Sequence, residues 1–524
     1  MHPDMMEKKT VPFVALCLLF AFGCTVTSGY RILGINTSFS RSHVIVQDAL
    51  MKELARRGHH VTMVSPYSES EKLPNYRKIT IPLDPLEIDL TKTIFADGNS
   101  RWTMFRIMPQ MLKNSAIPIK KTLLSPEVQS LLREPEGFDL LITGIMSDAV
   151  LGLVATLKCP TIVVCPNAPV AMVNSMVGNP APLATTPNLM LGLQSPMSFG
   201  KRVANVAGFV LEEVFAALWK YYQRVTYEEL FPPDQYPAYE TARSNVSLVF
   251  VNHHFTKGSP RPYIPAMVEV GGLQIKEKPS PLPEDVREWI EGAEHGVILF
   301  SLGTNLHGSS MPVEMLGAIL ETFRKLKQRV IWKWDVQEMP NKPANVMLRD
   351  WLPQDDILAH PNVRLFIMHG GLGGIAEALY HGVPLVGIPM FGDQPVNLAK
   401  VEEEGWAYVL QFSNLTEQTL GHAIDTVLQD GRYRENVQRL STLFRDRPTS
   451  AMETAVFWTE YVIRHRGAPH LRYAGVDMSF WQLYSLDVLA FLAGVFFGFC
   501  ALITFTCRRC WRRRTKPSKQ KKQQ

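Results

Sequence analysis

The stretch from Trp351 to Asn397 constrains the fold of this chain more than any other part of the sequence. Val363–Met368 is an apolar, strand-like run, which breaks at His369-Gly370-Gly371 before a short helical segment, Leu372–Tyr380. A second apolar run, Val383–Ile388, follows that segment directly. Strands that alternate with helices at this spacing form parallel sheets. The stretch therefore predicts an α/β domain with a doubly wound sheet.

Polar residues are gathered at one end of this unit. Ligands of open α/β sheets bind outside the carboxyl ends of the strands. We therefore expect His369, Glu377, Asp393 and Gln394 to lie close together. Glycines in the turn allow a ligand to approach the backbone, and the N–H groups at the start of a helix attract anions. The pattern predicts a diphosphate site with groups beside it that bind sugar hydroxyls.

A chain of 524 residues is too long for a single core. The same pattern occurs at its beginning, where strand Arg31–Ile35 is followed by a polar loop, a helix and strand His60–Val64. It resumes at strand Gly296–Ser301, after the proline-rich run Pro279–Pro283, and continues with a strand at Val330–Trp334. We predict two Rossmann-like domains facing a cleft, at 30–278 and 294–445, with a linker at 279–293 and a helical tail at 446–486.

Some segments of the first domain are less regular. Further strands are predicted at Phe138–Thr143, Pro160–Pro166 and Leu248–Asn252. Residues 71–125 and 170–235 mix proline, methionine and aromatic residues, and a long amphipathic helix is predicted near Val203–Tyr227. We interpret these segments as helical insertions that form a ligand pocket. Ordinary core packing is favoured for most of their apolar residues, and a face near a bilayer is the alternative.

Both ends of the chain carry membrane-targeting patterns. Residues 1–29 contain two lysines, an apolar run and then small residues, which is the layout of a secretory signal peptide. Residues 487–506 are almost wholly apolar and long enough to cross a bilayer. The arginines of the basic tail, 507–524, place that tail in the cytosol by the positive-inside rule. The alternatives are a retained signal anchor and a buried core helix.

The tail determines both the expected location and the charge balance. It ends in Lys521-Lys522-Gln523-Gln524, which resembles the dilysine signal that returns membrane proteins to the endoplasmic reticulum. It also holds nine lysines and arginines, so the preceding residues carry a net charge of −4 although the whole chain has +5. A mildly acidic body argues against a nucleic-acid partner. We expect a single-pass type I protein of the endoplasmic reticulum membrane with a lumenal body.

These features together resemble the membrane-bound UDP-glycosyltransferases, and the resemblance covers the whole chain. It implies the GT-B fold, with an N-terminal acceptor-binding domain, a C-terminal UDP-sugar-binding domain and helices that return to the N-terminal domain. It implies transfer of a hexosyl group from a UDP-sugar, the co-substrate, to a hydroxyl of a small lipophilic acceptor. Inversion at the anomeric carbon, without a metal or other cofactor, is also implied. Because invertebrate relatives mostly use UDP-glucose, that donor is favoured over UDP-glucuronate.

The resemblance also assigns donor-binding roles to residues of the second domain. Trp351 would stack on uracil with Gln354 beside it, and Glu377 would accept both ribose hydroxyls. The turn at His369 would contact the diphosphate, and Asp393 and Gln394 would bind the sugar hydroxyls. The full donor set is Ser301, Thr304, Trp351, Gln354, His369, Gly371, Glu377, Asp393 and Gln394.

For catalysis, the resemblance points to His43 in the first domain as a general base that activates the acceptor hydroxyl. A carboxylate would hold the imidazole in the correct tautomer. The position where the family places that acid is Gly144 here, so Asp148 is the predicted partner after a short loop shift. A role for Asp148 in capping the next helix is an equal alternative.

Three further expectations concern modification, assembly and rival functions. Asn36, Asn245 and Asn414 begin N-x-S/T sequons and are glycosylation candidates, Asn36 being the least favoured because it lies beside the proposed site. Assembly into a homo-oligomer is left open. One rival is a dinucleotide oxidoreductase, since Gly371-Leu-Gly373-x-x-Ala376 fits G-x-G-x-x-A and Asp393 follows. The other is an inactive membrane-tethered binding protein, which the missing acid would favour.

Overall fold

The computed structural model describes residues 29–68, 71–84, 103–304, 308–336 and 339–514. The predicted signal peptide, apart from its last residue, and the dilysine end of the tail lie outside these residues. Two parallel sheets, each with its own helices, form the body of the described chain. This arrangement confirms the predicted α/β class with two doubly wound sheets.

The first sheet is built from seven strands. They are β1 (Arg31–Ile35), β2 (His60–Ser65), β3 (Tyr76–Thr80), β4 (Leu140–Gly144), β5 (Thr161–Cys165), β6 (Leu248–Val251) and β7 (Met267–Glu269). Their order in the sheet is 3-2-1-4-5-6-7, and all described neighbours are parallel. Every residue of β4 and β5 is buried, because helices cover both faces of the sheet.

The helices of this half are α1 (Arg41–Arg56), α2 (Thr103–Asn114), α3 (Ala116–Leu123), α4 (Pro126–Leu131), α5 (Leu153–Leu157), α6 (Ala171–Val177), α7 (Phe199–Leu230) and α8 (Tyr239–Ser244). The helix α7 is the long amphipathic helix that the sequence predicts. Its inner face is buried through Phe209, Ala216 and Trp219. The core packing that is favoured for most apolar residues of segments 71–125 and 170–235 does not extend to the opposite face of α7, which is exposed.

The second sheet repeats the order of the first. It contains β8 (Val297–Ser301), β9 (Arg329–Lys333), β10 (Val346–Arg349), β11 (Val363–Met368), β12 (Leu385–Gly387) and β13 (Ala407–Val409). The order is 10-9-8-11-12-13, again with parallel neighbours. Its core is anchored by Phe300, Phe323 and Trp332, whose rings lie 4.8 to 5.6 Å apart and are almost fully buried.

The helices of the second half are α9 (Glu284–Glu291), α10 (Val313–Lys325), α11 (Gln354–Leu358), α12 (Leu372–His381), α13 (Gln394–Glu403), α14 (Glu417–Gln429) and α15 (Gly431–Arg445). The first of these falls inside the predicted linker. Val286 and Ile290 stand four residues apart and join the core beneath the second sheet. The helix α9 therefore packs with the second domain, and the extended connection is confined to residues around Pro279–Pro283.

The chain then returns to the first domain. Helix α16 (Ala451–Arg464) buries Ala455, Val456 and Val462 in the core that includes β1 and α1. His59 Nε2 lies 3.2 Å from a carboxylate oxygen of Glu460 on the same helix. Because α16 follows the second domain in the chain but packs on the first, it joins the two.

The last elements are α17 (Phe480–Leu483) and α18 (Leu486–Arg514). The apolar part of α18 has a mean hydropathy of 2.5 and no buried surface, so the helix is long and apolar enough to cross a membrane. It contains the predicted span at 487–506 and continues into the arginines that follow.

Candidate active site

Each sheet reverses its strand order at one point, between β1 and β4 in the first sheet and between β8 and β11 in the second. Helices leave the two neighbouring strands toward opposite faces there, which opens a crevice at the carboxyl ends of the strands. His43, in the first turn of α1, follows β1, and Asp148 follows β4. Ser301 is the last residue of β8, and His369 directly follows β11. The candidate site is therefore built at the two reversal points.

Two glycines pack against the ring of His369, the first residue after β11. A Cβ atom on Gly303 would lie 2.6 Å from His369 Nε2, and a Cβ atom on Gly371 would lie 2.7 Å from it. Gly303 also has a φ of +89°, which favours glycine. Burial, with Lys333 nearby, lowers the pKa of His369 to about 4, so the ring is neutral near pH 7. In the described structure its buried Nδ1 has no hydrogen-bond partner.

The turn after His369 leads into a helix N-terminus. Gly370 has a φ of +95°, and Gly371 is the N-cap residue of α12. The first N–H groups of a helix have no partner within the helix, and they carry the positive end of its dipole. A Cβ atom on Gly373 would meet only Gln274 within 4 Å, so the backbone here is accessible to a ligand. This turn has the features of an anion site.

Glu377 and Gln354 are brought together, as their predicted shared role requires. Gln354 Nε2 donates a hydrogen bond of 2.6 Å to Glu377 Oε2. Glu377 is 9% exposed, and its burial, together with the nearby charge of Asp355, raises its pKa to about 8. The carboxyl group is therefore mostly protonated at pH 7 in the free protein.

Trp351 links the two domains. Its side chain is 41% exposed, and the guanidinium carbon of Arg41 lies 3.5 Å from the indole centroid. Arg41 is the first residue of α1, and His43 follows two residues later in the same turn. The cation–π contact thus places the helix that carries His43 next to the residue predicted to stack on uracil.

Asp393 and Gln394 organise the loop that starts α13. Gln394 Oε1 accepts hydrogen bonds from two backbone N–H groups of this loop, at 2.9 and 3.1 Å. Asn397 Nδ2 donates to Asp393 Oδ2 at 2.9 Å and to the carbonyl oxygen of Gly370 at 3.1 Å. This loop is therefore fixed to the turn after β11. Burial raises the pKa of Asp393 above its ordinary value.

Ser301 is the last residue of β8, and Thr304 lies in the loop that follows it. Ser301 is 2% exposed, and its Oγ accepts a hydrogen bond of 3.3 Å from the N–H group of Gly303. Thr304 is the last described residue of this loop before 305–307. Ser301 therefore supports the glycine that packs on His369.

Lys257 is a site residue that sequence reasoning missed. Burial and the charge of Lys400 lower its pKa to about 8, whereas the nearby carboxylate of Asp393 raises it. The backbone oxygen of Lys257 accepts a hydrogen bond of 2.7 Å from Lys400 Nζ. The signal in the sequence was its place in a polar loop just after the predicted strand Leu248–Asn252, at the carboxyl edge of the sheet.

Neutral groups hold His43. Its Nδ1 lies 3.3 Å from Ser38 Oγ, and the Ser38 N–H group donates to Asn36 Oδ1 at 3.0 Å. Asn36 Nδ2 in turn donates to Gln47 Oε1 at 2.9 Å. His43 is half-buried, and desolvation lowers its pKa to about 4. The imidazole is therefore neutral, and able to accept a proton, across the neutral pH range.

The structure does not bring Asp148 to His43. Asp148 is 1% exposed, and its Oδ2 accepts hydrogen bonds from Arg243 Nε at 3.1 Å and from the Tyr239 hydroxyl at 3.2 Å. Both partners lie on α8, far along the chain, so the sequence near Asp148 gave no sign of them. Asp148 does not cap the next helix either, because Ser147 is the N-cap residue of the 3-10 helix Asp148–Gly152.

The position expected for the acid is filled from another strand. A Cβ atom on Gly144 would lie 2.9 Å from Asn36 Nδ2, so the Asn36 side chain occupies the space beside Gly144. Asn36 is 2% exposed, and the folded chain leaves no room there for a glycan. Asn245 and Asn414 are exposed, as a glycan acceptor must be.

A family model for UDP-glucoronosyl and UDP-glucosyl transferases matches residues 31–522. The chain belongs to this family. It is 37% identical to the UDP-glycosyltransferase UGT5 of Dactylopius coccus over 91% of this chain and 92% of that protein. It is 31% identical to the UDP-glucuronosyltransferase 2A2 of Mus musculus over 92% of this chain and 94% of that protein. The chain is therefore a glycosyltransferase that uses a UDP-sugar.

Solved structures give the fold. The glycosyltransferase VinC, in complex with DTDP, superposes with a TM-score of 0.54 at 16% identity, over 83% of this chain and all of VinC. The calicheamicin glycosyltransferase CalG4 gives a TM-score of 0.51 at 18% identity, over 83% of this chain and 99% of CalG4. The predicted GT-B fold is confirmed. The oxidoreductase alternative fails, because the G-x-G-x-x-A run follows β11 rather than the first strand of its sheet.

The contact between Gly303 and His369 yields a prediction. In a Gly303→Ala variant, the methyl group meets the imidazole at a backbone conformation that disfavours alanine, so we expect about 2 kcal/mol or more of destabilisation. We also expect the thermal stabilisation by UDP to be lost. Gly317→Ala is the control, because it lies in α10 with open space around it and should stabilise by about 0.5 kcal/mol. A Gly303→Ala protein with an unchanged response to UDP would contradict this view of the turn.

Proposed function

We propose that this UDP-glycosyltransferase transfers glucose from UDP-glucose to a hydroxyl group of a small lipophilic acceptor, with inversion at the anomeric carbon and without a metal ion. The second domain binds the donor, the first domain binds the acceptor, and His43 is the general base. The observation that carries the proposal is the contact between Arg41 of the first domain and Trp351 of the second. Because Arg41 lies two residues before His43 in the first turn of α1, this contact places His43 beside the donor-binding domain.

The donor part of the proposal is supported by the chemistry of the second domain. A neutral imidazole, a glycine turn and a helix N-terminus suit the charge of a diphosphate, so no metal ion is needed to neutralise it. The buried Glu377 and its partner Gln354 suit a ribose diol. The half-exposed indole of Trp351 suits a flat base.

The preference for glucose is supported by the two residues predicted to bind the sugar. Asp393 and Gln394 suit hydroxyl groups, and neither side chain is the cation that a sugar carboxylate would require. The Dactylopius coccus relative named UDP-glucosyltransferase 2, at 34% identity, is consistent with this preference.

In the proposed step, the acceptor oxygen forms a bond to the anomeric carbon while the bond from that carbon to the diphosphate oxygen breaks. The hydroxyl proton moves to His43 Nε2, and in this proposal the other ring nitrogen, Nδ1, carries the proton that faces Ser38 Oγ. The electron pair leaves with UDP, whose negative charge is held by the N-terminus of α12 and by His369. Ser38, Asn36 and Gln47 replace the carboxylate of a triad with neutral hydrogen bonds.

The location is part of the proposal. Helix α18 would span the membrane of the endoplasmic reticulum, with the two domains in the lumen and the basic tail in the cytosol. The signal peptide at 1–29, the dilysine end and glycans on Asn245 and Asn414 belong to the same proposal.

A donor screen on the full chain in microsomes tests the proposed function. With 1-naphthol as acceptor, we expect turnover with UDP-glucose, little with UDP-glucuronate, and no loss with EDTA. His43→Ala should lower turnover by about 10²–10⁴-fold with UDP binding unchanged. His295→Ala, an exposed histidine outside the site, is the control. Unchanged turnover in His43→Ala excludes the base, and no turnover with any donor favours the inactive binding protein.

The pKa of His43 yields a second prediction. Because the imidazole stays neutral until the pH falls to about 4, activity should be retained well below the ordinary histidine pKa of about 6.5. The measurement is kcat/KM for 1-naphthol against pH at saturating UDP-glucose. We expect its acidic limb clearly below 6.5. A limb at or above 6.5 would mean that a carboxylate, rather than the neutral chain through Ser38, supports the base.

The pKa of Glu377 yields a third prediction. At pH 7 the free protein holds this proton, because the pKa is about 8. Ribose hydroxyls donate best to the ionised form, so binding of UDP-glucose should release close to one proton at pH 7. Affinity should rise with pH up to about 8 and stay constant above it. Calorimetry in buffers of different ionisation enthalpy measures this release.

Glu377→Gln should bind about tenfold more weakly and release no proton. The exposed Glu314→Gln in α10 is the control and should behave as the wild type. Proton release that persists in Glu377→Gln would assign the linked group elsewhere.

A further inference from the structure

Helix α7 presents a long apolar face to its surroundings. Phe199, Val203, Val206, Val210, Val214 and Leu218 stand three or four residues apart and are between 42% and 75% exposed. The face continues through Tyr221 and Val225, so it runs along most of a helix of 32 residues. Soluble monomers rarely expose so long an apolar surface without a partner.

The opposite side of α7 is fixed in the first domain. Trp219 is 1% exposed there, and Gln223 accepts a hydrogen bond of 3.2 Å from the N–H group of Ala149. The orientation of the helix is therefore set by its core contacts, and the exposed face cannot turn inward without breaking them.

The helix α6 connects α7 to the segment from Val476 to Ser485 that leads into α18, here called the root of α18. At its start, the N–H group of Ala171 donates to Glu212 of α7 at 2.6 Å. At its end, a Cβ atom on Gly178 would lie 2.9 Å from a side-chain carbon of Val476. The seven residues of α6 rise about 10 Å, and Val476 precedes α18 by only ten residues. The middle of α7 is thus close to the point where the chain leaves the first domain for α18.

The surroundings of the face have the composition of a membrane interface. Phe480, Trp481 and Tyr484, just before α18, are 58% to 65% exposed, and aromatic residues of this kind concentrate at headgroup depth. Along one border of the α7 face lies Lys220, about 80° from the line through Val210 on a helical projection, and a lysine at such a border reaches toward lipid phosphates. Arg224 lies nearer that line and is paired with Glu240, and the exposed Glu213 shares the border.

We propose that α7 lies in the surface of the bilayer that α18 crosses, with the face from Phe199 to Val225 in contact with lipid. This inference rests on the proposed membrane span. The first domain is then attached to the membrane at two places, and an apolar face buried to about 5–10 Å in the headgroup region removes it from water. The observations favour lipid over a second copy of the chain, because the root of α18 fixes the bilayer next to α7.

The test uses the full chain in nanodiscs of phosphatidylcholine that contain 5-doxyl-phosphatidylcholine as quencher. The exposed cysteines Cys500, Cys507 and Cys510 are changed to serine, whereas the buried Cys159 and Cys165 remain. An environment-sensitive fluorophore is placed on Val210→Cys. The matched control is Val313→Cys, a valine that is 78% exposed in the second domain. A further protein keeps Val210 and carries the fluorophore on Cys500, with Cys507 and Cys510 changed to serine, so that it reports on α18 itself.

We expect about twofold quenching by the doxyl lipid at position 210 and none at 313. Quenching at Cys500 without quenching at 210 would overturn this inference and leave the span in place. Absence of quenching at Cys500 would overturn the span and this inference with it. Cross-linking of two copies through Val210→Cys, without lipid quenching there, would assign the face to a dimer. Stabilisation by UDP, measured on each labelled protein, shows that it is folded.

Discussion

All described strands of each sheet run in the same direction, and this constraint determines where the chemistry is located. In a parallel sheet every loop that follows a strand emerges at the same edge. The groups around His43 therefore collect at one edge and the donor-site groups at another. Several contacts between the domains hold these edges against each other. Helix α16 leaves the second domain and buries Val456 and Val462 beside α1, and Arg41 stacks on Trp351. Neither domain contains the complete site.

The central strands were predictable because their signal is local. Each is a short apolar run with covered faces on both sides, and the structure shows every predicted strand within two residues at each end. Four strands had no prediction, namely β3, β7, β10 and β13, and all four lie at the edges of the sheets. Two have only three residues, and the others are partly exposed, so hydrophobicity alone does not mark them. Each forms a strand by pairing with the preceding strand, whose partner residues lie 15 to 22 positions earlier in the chain.

The same distinction applies to the site. Gln354 and Glu377 were assigned from a single stretch of sequence, and the structure joins them directly. Asp148 was assigned from proximity in the chain to Gly144, but its partner is Arg243, which no local pattern reveals. Lys257 was overlooked for the same reason, because its relation to Asp393 exists only when the domains meet. Side-chain partners that are far apart in the chain are decided by packing.

Asn36 is enclosed only after a strand that is synthesised much later has formed. Its side chain is enclosed by Gln47, which bonds to the backbone of Ile142, and by Gly144 on β4. About a hundred residues must be added before β4 exists, which takes roughly 5–20 s at ribosomal speed. During that interval Asn36-Thr37-Ser38 would be an open acceptor sequence in a chain that enters the secretory pathway as proposed. A sugar chain attached then would hold the loop that carries Asn36 away from β4, because the folded structure has no space for it there.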